Sequence, residues 1–155
     1  MSRQVENPEN LRGLRILVVD DEPYILKILV FKLRTAGLIP IEAANGMEAL
    51  RVALAERPDA ILLDVSLAPG LSGFDVLGRL KQDPRTAPIP VIVLTARTHP
   101  DERTTALRLG AARFLTKPFS TKELLLELEG VLAATRGAAS EGPPSVDGGP
   151  PEPLV

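Results

Sequence analysis

Residues 14–23 read LRILVVDDEP. An apolar run of strand length, Leu14–Val19, stops at two adjacent acids, and a proline follows. Ile and Val suit a pleated, buried strand, and the run is too short for a helix. Pro23 suits the first turn of a helix, where its missing N–H would have no partner anyway. The spacing beyond it predicts a helix over Pro23–Thr35, with Ile25, Leu26, Leu29 and Leu33 on one stripe and Gly37 just past its end. A strand, an acidic turn and a helix are thus written in one short stretch.

The same unit recurs downstream. Apolar runs fall at Ile39–Ala43, Ala60–Leu63, Val91–Leu94 and Phe114–Leu115, each followed by a segment with helical spacing. Asn45 with Glu48, Ser72 with Asp75 and Ser120 with Glu123 have the spacing of capping boxes. The last helix, about Thr121–Ala134, places Leu124, Leu125, Leu128, Val131 and Leu132 on one face. Alternation of this kind argues for an α/β fold, a doubly wound five-stranded parallel sheet with helices on both faces.

Composition narrows the classes. The 155 residues are 45% hydrophobic with a formal charge of −2, which suits one soluble domain with a tail. There is no cysteine, hence no disulfide, thiolate metal site or redox thiol, and a cytoplasmic protein is expected. The polar start, MSRQVENPENLRG, lacks a secretory stretch, and no apolar run approaches the roughly 18 residues of a membrane span. Residues 137–155 hold five prolines, four glycines and three acids but no Lys or Arg. The expected organisation is an extension over 1–12, a domain over 13–135 and a disordered Gly/Pro-rich tail over 136–155. Outside 137–155, 18 bases face 17 acids, so there is no basic footprint for nucleic acid. The tail is too short for a DNA-binding helical module.

Polar residues collect at one edge. In open α/β sheets, ligands bind beyond the carboxyl ends of the strands. Reading each run to its end delivers Asp20 and Asp21, Asp64, Thr95 and Lys117 to that edge. Acids at strand ends often cap the next helix, but the helix after Asp64 has its own cap in Ser72. Three close carboxylates repel unless a cation or proton intervenes. With no thiolate and only His99 as imidazole, the donors suit a hard ion, and Mg²⁺ fits. A carboxylate, a divalent ion, a hydroxyl and a lysine make a site for a transferring phosphoryl group, with a carboxylate attacking in line. The residue pattern alone leaves open which Asp attacks.

Four segments in order, ILVVDDEP (16–23), LLDVSLAPGLSGFD (62–75), VIVLTA (91–96) and FLTKPF (114–119), resemble the receiver domain of bacterial two-component response regulators, of the stand-alone type. The resemblance covers roughly residues 13–134. It implies a flavodoxin-like strand order, 2-1-3-4-5, and Asp64 as phosphoacceptor from a kinase phosphohistidine. Asp20, Asp21, Asp64 and the backbone carbonyl of Ser66 would hold Mg²⁺. Thr95 and Lys117 would contact the phosphoryl oxygens, and Phe114 would move with Thr95 as a switch. Ser66 and Arg97 would tune the phosphoryl lifetime, and Lys117–Pro118 would be cis. The implied partners are a sensor histidine kinase or histidine phosphotransfer protein and a downstream protein target, with no direct nucleic acid or membrane contact. The chain would be a monomer or weak dimer, and no enzyme beyond self-catalysed phosphorylation and slow autodephosphorylation.

Departures from the family pattern are also legible. Pro69 lies five residues after Asp64 where four is usual, which makes Ala68 an extra loop residue. Ala112-Arg113 replaces the acidic pair of DNA-binding regulators, and LLLELEGVLAATRG lacks their Arg-rich helix end, which speaks against their mode of dimerisation. The lengthened loop is the one feature favouring a phosphate-independent binding scaffold as the alternative. An aspartate-nucleophile phosphohydrolase would want a second acid two residues after Asp64, and Ser66 stands there. His99 beside Pro100 reads as a loop or cap residue, and Gly70–Gly73 as a turn into a helix. Arg97, Arg103, Arg108 and Arg113 read as a solvated face that could meet an acidic partner.

Overall fold

Each apolar run forms a strand, and each helically spaced segment a helix. The computed structural model describes residues 11–67, 70–96 and 100–140, the last six as helix backbone only. In chain order the elements are β1 (Arg15–Val19), α1 (Pro23–Thr35), β2 (Ile39–Ala43), α2 (Gly46–Glu56), β3 (Ala60–Asp64), α3 (Gly73–Gln82), β4 (Val91–Ala96), α4 (Pro100–Arg108), β5 (Arg113–Lys117) and α5 (Thr121–Ser140). The sheet has five parallel strands in the order β2-β1-β3-β4-β5, as the resemblance implies.

Alternate residues of the central strands feed two cores. Ile16, Val18, Leu62, Ile92 and Leu94 face α1 and α5, where Leu29, Leu33, Leu124 and Leu128 meet them. Leu17, Val19, Ile61, Leu63, Val91 and Val93 face the opposite side, against Val52 of α2, Val76, Leu77 and Leu80 of α3 and Ala106 of α4. Both faces of β3 are covered, so it is buried at every position, as a central parallel strand requires. At the edge, β2 leaves Ile39 half exposed, and Pro40 is tolerable there because an edge strand has an unpaired side.

Local chemistry sets the helix starts. Ser72 Oγ accepts from the Asp75 N–H, and Asp75 accepts from the Ser72 N–H. Ser120 and Glu123 make the same reciprocal pair. Asn45 accepts from the Glu48 N–H, but Glu48 reaches back to the N–H of Ala44 rather than Asn45. The third box is therefore displaced by one residue.

Several boundaries differ from those the apolar runs imply. β4 and β5 extend to Ala96 and Lys117, because Thr95 pairs with Thr116 and Ala96 with Lys117. Ladder bonds use backbone groups, so polar residues prolong a strand that hydropathy ends early. α5 continues to Ser140, so residues 136–140, expected in the disordered tail, are helical. Alanines favour this continuation, and the first proline of that region comes only at Pro143. The remaining tail, the start of the chain, the Ala68–Pro69 loop, Arg97 and His99 lie outside the described residues. No helix among the described residues is long and apolar enough to cross a membrane.

Candidate functional site

The strand order reverses between β1 and β3, which are adjacent and level, with Val19 beside Leu63. Asp20 follows β1 directly and Asp64 ends β3, so two carboxylates meet where α/β sheets bind ligands. One carboxylate oxygen each from Asp20, Asp21 and Asp64 lies within 4.8 Å of the others. From the far edge of the sheet, Lys117 brings its Nζ to 3.3 Å from Asp64 Oδ2 and 3.7 Å from Asp20 Oδ2. Asp64 Oδ1 accepts from the Ser66 N–H at 3.0 Å, and Asp20 Oδ1 from the Glu22 N–H at 2.9 Å. Each carboxylate is thus oriented by its own loop. The Lys117–Pro118 bond is cis.

The electrostatics are unbalanced. Asp20 is fully buried, and its Oδ2 has no hydrogen-bond partner. Burial first, and the Asp64 charge after it, push the Asp20 carboxyl above its ordinary range, against the lowering effect of the Glu22 N–H and Lys117. A buried carboxylate oxygen without a donor, in a cluster of three acids, fits a hard divalent cation on oxygen ligands. Lys117 brings one positive charge to Asp20 and Asp64.

Thr95 lies one residue past the end of the β3–β4 pairing, and Phe114 lies on the neighbouring strand β5. Thr95 is buried at 3% exposure, and its Oγ1 donates to Oε1 of Glu102 on α4. Phe114 is half-buried against the α2–α4 core, and the Arg103 guanidinium lies 4.3 Å from its ring centroid. Sequence reading missed the contacts of Glu102. An acid seven residues after Thr95 at a helix start looks like a partner of the helix dipole.

Gly73 was legible only as a turn residue, yet it does more. A Cβ there would lie 2.3 Å from Val65 Cα and 2.4 Å from the Asp64 carbonyl oxygen. The start of α3 therefore rests directly on the backbone of Asp64. Of the arginine cluster, Arg103 covers Phe114 and Arg113 pairs with Glu127 at 3.0 Å. Those two side chains are engaged within the chain.

A doubly wound sheet with an acid cluster at its reversal point and a lysine crossing to it defines a receiver-type α/β domain. The family profile of the response regulator receiver domain matches residues 16–129, and the chain belongs to that family. Membership places it in phosphorylation-based two-component signalling. It is 43% identical over 136 residues to the phosphate regulon transcriptional regulatory protein PhoB of Pseudomonas aeruginosa, covering 88% of this chain and 59% of PhoB. It is 40% identical over 132 residues to the transcriptional regulatory protein KdpE of Mycobacterium tuberculosis, covering 85% of this chain and 57% of KdpE. The chain thus spans little more than half the length of these relatives. Among solved structures, the Vibrio cholerae chemotaxis protein CheY4 matches with a TM-score of 0.71 and 32% identity, over 77% of this chain and 98% of CheY4. A CheY-like receiver domain protein from Methanospirillum hungatei matches with a TM-score of 0.75 and 25% identity, over 81% of this chain and 98% of that one.

Proposed function

We propose that this chain is a phosphorylation-dependent switch or relay component whose acceptor is Asp64. The observation that carries the reading is the setting of that carboxylate at the sheet reversal, with Oδ1 on the Ser66 N–H and Oδ2 beside Lys117 Nζ. The phosphodonor is a phosphohistidine on a sensor kinase or a histidine phosphotransfer protein. A carboxylate oxygen of Asp64 attacks phosphorus, the P–N bond breaks, and its electron pair leaves with the imidazole nitrogen, which takes a proton. Asp20, Asp21, Asp64 and the Ser66 carbonyl would hold Mg²⁺, which would neutralise charge on the transferring oxygens. Lys117 adds a second positive charge, and the Thr95 hydroxyl gives a hydrogen bond to one phosphoryl oxygen. Phe114 moves with Thr95, and Ser66 and Arg97 tune the lifetime of the product.

Output passes by protein contact in the cytoplasm, without direct contact with nucleic acid or membrane. The near balance of bases and acids outside residues 137–155 supports that reading, and the internal Arg113–Glu127 pair supports a monomer or weak dimer. The test is Mg²⁺-dependent labelling by acetyl phosphate, read by intact mass, with Asp64→Ala beside the parent. A gain of one phosphoryl group in the parent alone is expected. No gain, with Mg²⁺ binding demonstrated, would replace this reading with a phosphate-independent scaffold.

A further inference from the structure

The Thr95 hydroxyl has one proton to donate, and Glu102 already receives it. The other acceptor near Thr95 Oγ1, the carbonyl of Ala96, is 3.4 Å away, long for an O–H···O bond. A phosphoryl group on Asp64 would offer only acceptor oxygens and carry negative charge. It needs that same proton and repels the carboxylate that holds it. The two bonds are mutually exclusive.

We propose that Glu102 is a positioning residue for phosphoryl capture, which keeps the Thr95 proton in the resting state and must surrender it when Asp64 is phosphorylated. This rests on Asp64 being the acceptor. Burial makes the exchange asymmetric. Thr95 is buried, so its hydroxyl needs a protein or phosphoryl partner in either state. Glu102 is only half-buried, and water can replace the bond it loses. Removing the Glu102 carboxylate therefore penalises the resting state and leaves the phosphorylated state nearly untouched.

Release also frees the first turn of α4. The next residue, Arg103, covers the ring of Phe114. Adjacent residues of one helix thus hold the hydroxyl on β4 and the aromatic ring on β5. Loss of the first contact loosens the second.

The test uses the full chain with Mg²⁺ and acetyl phosphate, comparing the parent with Glu102→Ala and Glu102→Gln, each also combined with Thr95→Ala. Glu102→Ala should raise the ratio of phosphorylated to unphosphorylated protein at steady state by roughly tenfold, the scale of one hydrogen bond to a charged group. Glu102→Gln, which keeps a neutral acceptor and the side-chain length, should fall between. Neither change should matter when Thr95 is Ala. An unchanged or lowered ratio, or an equal rise without the Thr95 hydroxyl, would overturn the proposal while leaving Asp64 as acceptor. No labelling of any protein, the parent included, would remove the Asp64 reading and this proposal together. The Gln variant carries the test if Ala disturbs the fold.

Discussion

Asp20 carries its charge at a cost to folding. An acid whose folded pKa is raised above its ordinary 3.8 binds more protons folded than unfolded between those two values. At neutral pH this group opposes folding, and the opposition fades as pH falls through that window. Asp20→Asn should therefore melt several degrees higher than the parent at pH 7 without divalent ions, the scale of about 1 kcal/mol in a domain of this size. The gain should shrink as pH is lowered, and the variant should lose the stabilisation that Mg²⁺ gives the parent. Lys117 keeps Asp64 as its nearer partner; an equal or lower melting temperature for the Asn variant would show that the Lys117–Asp20 attraction outweighs burial. Lys81 is a half-buried charge with a different role. Its Nζ donates to the carbonyls of Ala87 and Ile89 at 2.9 and 2.7 Å, which ties the loop after α3 to the helix. Lys81→Met should cost about 1–3 kcal/mol in urea denaturation and leave phosphorylation rates unchanged.

Among the elements, α3 starts directly against the acceptor. Its first residue, Gly73, meets the backbone of Asp64 and Val65 with no room for a methyl group. Gly73→Ala must push α3 and the acceptor strand apart, and should cost about 3 kcal/mol with a matching loss of labelling at Asp64. Thermal unfolding and intact mass check the two effects separately. Pro23 and Gly37 bracketed α1 within the sequence, and the ends of four apolar runs pointed to Asp20, Asp64, Thr95 and Lys117, because burial and capping leave local marks. The Gly73 contact leaves none, since it depends on how closely a helix start approaches a strand eight or nine residues earlier. The Thr95–Glu102 bond is equally silent, because an acid in a first helical turn already has a sufficient local reason to be there. The end of α5 was misplaced because Gly-rich composition outweighed the helix-favouring alanines before Pro143.

Across the whole molecule the helices are held unequally. α1 buries Leu26, Leu29, Val30 and Leu33, and α5 buries Leu124, Leu128, Val131 and Leu132. Among the described residues, α4 buries only Ala106. A helix anchored by so little apolar surface opens at low free energy. Amide hydrogen exchange should be fastest in α4 among the helices, and phosphorylation should change it there more than in α1 or α5; a uniform change across all five would contradict a switch confined to one face. The reach of Lys117 across the sheet bears also on how the molecule is made. Asp20, Asp21 and Asp64 leave the ribosome well before residue 117, and the strand that carries their counter-charge is the last of the five to be synthesised. A nascent chain stopped short of β5 would hold three mutually repelling acids with no ammonium between them. Adding the edge strand β5 to the sheet is also what brings the ammonium to the acids.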